Sequence, residues 1–134
     1  MASATAPKTL SFDVVMLSYY ERPIFDVQLN GIEIGAGANP PQRGNGGLMT
    51  GVPIQLGAQK ITWRLDGPKG MPGNGDTVTA ANIPDFKDPG PDYSYLGVHV
   101  YPDNTVELVP EKFWPERTAK GEAFTQAWER KHGQ

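Results

Sequence analysis

The sequence predicts a mainly β protein: an antiparallel β-sandwich or half-open barrel with one C-terminal α-helix. Three observations predict it. Apolar and polar residues alternate through 10–16 and again through 24–29, the period of two expected of a strand with one buried face. Asn30-Gly31 separates two such runs, and both residues tolerate the positive φ of a tight hairpin turn. The 16 glycines and 13 prolines cluster between strand-like runs, as turn punctuation does in all-β chains, rather than spreading as in a disordered segment.

The elements follow in order. Residues 1–8 read as a flexible lead-in, and residues 9–134 as a single β-rich domain. In the first strand Leu10, Phe12, Val14 and Met16 share a face. Glu21-Arg22-Pro23 ends it, because proline fixes φ and has no N–H to donate. Phe25, Val27 and Leu29 then alternate with Ile24, Asp26 and Gln28, and Ile32-Glu33-Ile34 continues past the hairpin turn. These three runs read as the start of a meandering antiparallel sheet.

Residues 35–51 read as a long loop with Gly44-Asn45-Gly46-Gly47 at its centre, either a functional segment or a crossover between sheets. Val52–Leu56 reads as a short edge strand, since Pro53 cannot donate to a ladder. In Lys60–Leu65 the residues Ile61, Trp63 and Leu65 share a face, which sends Trp63 to the core. A loop over 66–76, a weaker strand over 77–83 and a loop over 85–92 follow.

Tyr95–Tyr101 alternates again, with Val98 and Val100 inward and His99 on the opposite, exposed face. Pro102-Asp103-Asn104 turns the chain into Val106–Val109 as a second hairpin. Beyond Pro115, Phe124, Ala127, Trp128 and Lys131 recur at helical spacing and predict an amphipathic helix over 118–132.

Composition excludes several classes. A chain of 134 residues has room for one modest core. Its net charge of −3, with both signs scattered, provides no basic patch for nucleic acid. With no cysteine there is no disulfide, no thiolate nucleophile and no cysteine metal site. No apolar run approaches the roughly 20 residues that span a bilayer. Residues 1–7 have neither the charged nor the apolar region of a signal peptide, and such a lead-in is also what remains when a signal or lipid-anchor segment is removed.

The motifs point away from catalysis. Gly44-Asn45-Gly46-Gly47 is followed by Leu48-Met49-Thr50, without the Lys-Ser/Thr and helix of a phosphate loop. Asp66, Asn74 and Asp76, and likewise Asp85, Asp88 and Asp92, lack calcium-loop spacing and read as solvated turn residues. Two histidines, His99 and His132, are too few for a zinc site without help from distant carboxylates. No Gly-x-Ser-x-Gly elbow supplies a nucleophile, and no carboxylate pair stands out for glycoside chemistry. The reading is a protein that is not an enzyme, with no cofactor and no metal.

The aromatic residues point to binding. Tyr19 and Tyr20 lie at a strand end beside a turn, so at least one ring is expected to face solvent. Phe113-Trp114 lie between Pro110 and Pro115 in an irregular segment. With Arg22, Arg43 and Arg117 these are the residue types that anchor protein interfaces, though rings that cap a sandwich core give the same pattern.

The run from Ser18 to Gly31, with Tyr19-Tyr20-Glu21-Arg22-Pro23-Ile24-Phe25 at its head, resembles the opening of a family of small bacterial proteins classed as a domain of unknown function, many of them lipoproteins. The glycine-rich stretch 44–52, the Ile61-Thr62-Trp63 strand and the Tyr95–Asp103 strand and turn fit the rest of its pattern, over roughly residues 10–118. Members often carry cysteines where Leu48-Met49-Thr50 stands here, so any redox role drops out.

Members of that family occur beside lipase effectors of the type VI secretion system and are regarded as their immunity proteins. The resemblance therefore implies a protein that binds a cognate bacterial phospholipase or lipase and occludes its active site or membrane-docking surface. It also implies a periplasmic or membrane-anchored full-length form, with a cytoplasmic one as the alternative. By residue type and expected exposure, the partner-binding candidates are Arg43 and Asn45 in the glycine-rich loop, Tyr19 and Tyr20, and then Trp114 and Arg117. The alternative is an envelope- or carbohydrate-binding module whose exposed aromatics stack on sugar rings.

Overall fold

The computed structural model describes residues 8–37 and 44–133. In chain order its strands are β1 (Thr9–Ser18), β2 (Ile24–Leu29), β3 (Ile32–Gly37), β4 (Gly44–Gln55), β5 (Gly57–Ala58), β6 (Ile61–Leu65), β7 (Thr77–Thr79), β8 (Asp85–Phe86), β9 (Tyr95–Val100) and β10 (Val106–Glu111), followed by α1 (Ala119–His132). One four-stranded sheet has the order β10-β9-β1-β4, and the other β3-β2-β6-β7. The short β5 and β8 pair separately. Phe12, Val14, Met16, Val98 and Val100 of the first sheet and Ile24, Val27, Leu29, Ile61 and Trp63 of the second form one buried core. Among the described residues the architecture is mainly β, its strand pairs antiparallel except β1 with β9, with one C-terminal helix and no closed barrel.

The three N-terminal strands do not form one meander. β1 lies in the first sheet, while β2 and β3 form the hairpin that opens the second. Glu21-Arg22-Pro23 is thus a passage between layers. β1 instead pairs with β4 and, in parallel, with β9, from Asp13 opposite Tyr95 to Ser18 opposite Val100.

The glycine-rich stretch is also a strand from Gly44 onward, not a loop. β4 pairs with β1 through two register shifts, one between Asn45 and Leu48 and the other between Met49 and Val52. Gly47 and Gly51, with φ of 108° and 64°, sit in those two bulges. Each bulge needs a residue in the positive-φ region, where glycine carries no Cβ penalty. A similar irregularity in β2 falls at Asp26, whose φ is 51°, and it lets both Ile24 and Val27 face the core.

The edge strands are blunted. Pro53 lies in the edge strand β4, and the Gly51 N–H beside it donates to the Asp13 carboxylate at 3.1 Å. At the far edge, the Asn82 amide both accepts from and donates to the Val106 backbone at 2.8 Å, and Pro110 removes a further donor. Such devices protect a sheet from edge-to-edge pairing.

α1 begins at Thr118, whose hydroxyl accepts from the Gly121 N–H at 3.0 Å, and ends at Gly133 in the left-handed region. The helix turns Gly121, Phe124, Thr125 and Trp128 toward the protein and leaves Ala127 exposed. Among the described residues no helix is long and apolar enough to cross a membrane.

Candidate functional site

The chemistry of this chain gathers on the outer face of the first sheet. β1 and β9 are its two central strands, and both are covered on both faces. Val14, Val15, Met16 and Leu17 are therefore all buried, in place of the alternation expected of a one-faced strand. Val15, Leu17, Tyr19 and Tyr101 form a second cluster on that outer face, packed with Tyr95 and Phe124.

Within this layer Tyr19, His99 and Tyr101 stack. The Tyr19 ring lies 5.9 Å from His99 and 5.3 Å from Tyr101, with interplanar angles of 14° and 19°. Tyr19 Oη and His99 Nδ1 are hydrogen-bonded at 2.9 Å. Tyr101 Oη donates to Glu107 Oε1 at 2.7 Å and bonds the Thr118 hydroxyl at 2.5 Å, which ties the stack to the start of α1.

His99 is 1% exposed, so the expected exposed-face histidine is in fact interior. The cause is α1 and the segment before it, which cover the face that alternation alone assigns to solvent. Burial lowers the His99 pKa to about 4, partly opposed by Glu107, so the ring is neutral at pH 7. Burial pushes the Tyr19 hydroxyl up to about 12 and raises that of Tyr101 as well. All three rings are held in their uncharged forms.

Two glycines set how closely this layer packs. A Cβ on Gly121 would stand 2.3 Å from the Tyr19 ring, so the helix rests directly on that ring. A Cβ on Gly97 would meet His99 Nε2 at 2.9 Å and Pro115 Cβ at 3.2 Å. Pro115 is buried there, and it mounts the residues just before it on the sheet.

Those residues are the exposed pair Phe113 and Trp114, at 81% and 43%. Trp114 meets Tyr95 edge-on at 5.9 Å. Beside them an open groove of about 380 Å³ is lined by Tyr93, Glu111, Lys112, Phe113, Trp114 and Glu116. Lys112 Nζ lies 5.6 Å over the Tyr93 ring. Exposed aromatic rings are enriched at contact surfaces, whose rims are polar.

Of the six residues proposed from sequence, the four with described side chains do not share one exposed surface. Tyr19 is wholly buried under α1. Tyr20 is half-buried, edge-on to Trp63 at 5.7 Å, with its hydroxyl donating to Asn104 Oδ1. Arg43 lies outside the described residues. Asn45 is placed only as backbone, in β4 opposite Leu17. Trp114 and Arg117 are exposed and close in sequence, and Arg117 pairs with Glu122 at 3.5 Å. Tyr93, Glu111, Lys112 and Glu116 escaped sequence reasoning. The signal that could have found them is the buried Pro115 next to two aromatics that cannot both turn inward.

The loop weighed for calcium is organised around Arg22. Its guanidinium donates to Asp66 O at 2.8 Å, Pro72 O at 2.9 Å and Asn74 Oδ1 at 2.8 Å. In the other loop Asp88 pairs with Lys8 at 2.7 Å and accepts from the Gly90 N–H at 2.9 Å. His132 stacks on Trp128 at 4.1 Å. Among the described residues no group of three or more His, Cys, Asp or Glu side chains is placed to hold a metal ion.

Comparison with protein-family models, with curated proteins and with solved structures found no match to this chain.

Proposed function

We propose that this protein is a non-catalytic immunity protein, which binds a lipase or phospholipase effector of the type VI secretion system and inhibits it by occlusion. The motif resemblance over residues 10–118 suggests the partner class, and an exposed aromatic pair on a fixed mount supports occlusion as the means. The observation that carries it is the Phe113–Trp114 pair, exposed at 81% and 43% beside a groove with a charged rim. Large exposed aromatics on a fixed mount serve as preformed anchors, and occlusion asks only for a rigid complementary surface. A periplasmic or membrane-anchored location of the full-length protein belongs to the same reading.

The test is to express the product of the neighbouring reading frame, titrate it with this protein by calorimetry and assay its phospholipase activity. Tight binding with loss of activity supports immunity. Phe113→Ala with Trp114→Ala should then weaken binding by about 100-fold or more, as truncation of central aromatic anchors does. Binding without inhibition, or inhibition unaffected by the double substitution, overturns the occlusion surface.

The same pair next to the Glu111 and Glu116 carboxylates also suits stacking on a sugar ring, which is the envelope-binding alternative. Retention on peptidoglycan or a glycan array, lost in Trp114→Ala, separates the two readings.

A further inference from the structure

We infer that the Tyr93–Trp114 groove is the seat of an arginine side chain projected by the effector. This rests on the immunity reading and names the chemistry of its partner.

Three features of the groove favour a planar cation. It offers the rings of Tyr93, Phe113 and Trp114, and the negative face of an aromatic ring attracts a cation within about 6 Å. Lys112 already uses one such face, with Nζ 5.6 Å over Tyr93. Its two carboxylates, Glu111 and Glu116, form no ion pair among the described residues, so the rim has acceptor capacity to spare. One lysine against two carboxylates leaves a local charge of −1, on a chain whose net charge is −3.

Guanidinium suits the site better than ammonium. It stacks flat on an aromatic face while presenting a fork of N–H donors to a carboxylate. A lysine would satisfy the charge and lose the stacking. A neutral sugar would stack and leave both carboxylates without a counter-charge. The mount adds preorganisation, because Pro115 is buried against Gly97.

The experiment has two arms. In the first, the ¹⁵N-labelled full chain is titrated with N-acetyl-arginine methylamide and with its citrulline counterpart, which has the same shape and no charge. The indole N–H signal of Trp114, assigned through Trp114→Phe, should shift with the arginine compound, remain fixed with citrulline, and lose its response in Glu111→Gln/Glu116→Gln. An equal response to both compounds, or a response only to sugars, overturns the inference.

In the second arm the same double variant is titrated with the effector. Roughly tenfold weaker binding, with a flatter salt dependence, is expected from removing rim charges that face a cation. If the variant binds and inhibits as the parent does, the arginine seat is wrong and immunity stands. If the parent fails to bind any neighbouring effector while the arginine compound still titrates Trp114, the immunity reading fails instead. All the substituted side chains line an open groove, so unchanged amide spectra serve as the folding control.

Discussion

Gly121→Ala isolates the contact on which the outer layer depends. Alanine is the better helix former, and the exchange inside an exposed helix stabilises by about 1 kcal/mol. At this position the added methyl would lie 2.3 Å from Cζ, 2.4 Å from Cε1 and 2.7 Å from Oη of Tyr19. Carbon atoms in contact rest near 3.5–4.0 Å, so helix and ring must separate by about 1 Å. The ring cannot swing away freely, because it packs beside both His99 and Tyr101 and is bonded to His99 at 2.9 Å. Overpacking of this kind costs about 1–3 kcal/mol, and a backbone-borne atom against a fixed ring belongs at the upper end.

The propensity gain offsets part of that, leaving a net loss of about 1–2 kcal/mol. For a chain of 134 residues this lowers Tm by roughly 5 °C. The assay is thermal and urea denaturation followed by circular dichroism. Ala123→Gly on the exposed side of the same helix serves as the propensity control. Tyr19→Leu combined with Gly121→Ala should show a coupling of at least about 1 kcal/mol, since removing the ring removes the clash. A rise in Tm for Gly121→Ala, or strict additivity with Tyr19→Leu, would refute the direct seating of α1 on Tyr19.

Three further outcomes are expected. The folded pKa of His99 is lowered from 6.5 to about 4, so the unfolded chain takes up a proton that the native ring refuses; its contribution is fully present above pH 6.5 and is lost as pH falls toward 4, by up to about 3 kcal/mol. Urea midpoints of the wild type and His99→Phe should therefore converge on acidification, and parallel curves count against a neutral buried imidazole. Thr118→Ala removes both the cap to Gly121 and the partner of Tyr101 Oη, and should cost about 1–2 kcal/mol, read as a lower urea midpoint. Arg22→Ala frees three acceptors of the 66–76 loop, so amide exchange and proteolytic nicking should rise there while the core strands keep their protection.

Much of the fold was legible because its signals are local. Asn30 and Gly31 adopt the positive φ of 51° and 86° that their turn requires, and Asn104 does the same at 67° in the second hairpin. Trp63 is fully buried, as its strand face predicts, and Pro53 sits in an edge strand. What escaped depends on non-local facts. The split of β1 from β2 is decided by β9, which lies about 80 residues further along and claims the flank of β1. The burial of Tyr19 is decided by a helix that lands on it from the end of the chain, and His99 lies bonded to Tyr19 and close to Pro115 in the segment before that helix. A clue stood in the sequence all the same: Val14-Val15-Met16-Leu17 is an unbroken apolar run, the mark of a strand buried on both faces. The strand character of the glycine-rich stretch was hidden for another reason, since glycine in a bulge looks in sequence like glycine in a loop.

The two faces of the first sheet do different work. The inner face is apolar and contributes burial, the ordinary source of stability. The outer face carries a tyrosine–histidine–tyrosine stack with hydrogen bonds, each worth about 0.5–1.5 kcal/mol net and each directional. Direction matters more than the sum. Apolar packing alone would let α1 and the preceding segment slide, whereas Tyr101 bonded to Thr118 and Pro115 seated on Gly97 fix where that segment lies. Phe113 and Trp114 are thereby held out at an angle set by the sheet. An exposed aromatic pair on a loose tail would have to be ordered when it binds, at about 0.5–1.5 kcal/mol for each immobilised side chain in addition to the backbone. On this mount most of that ordering is already present in the free protein, so the buried chemistry of His99 and Tyr19 sets how the exposed aromatic pair is presented.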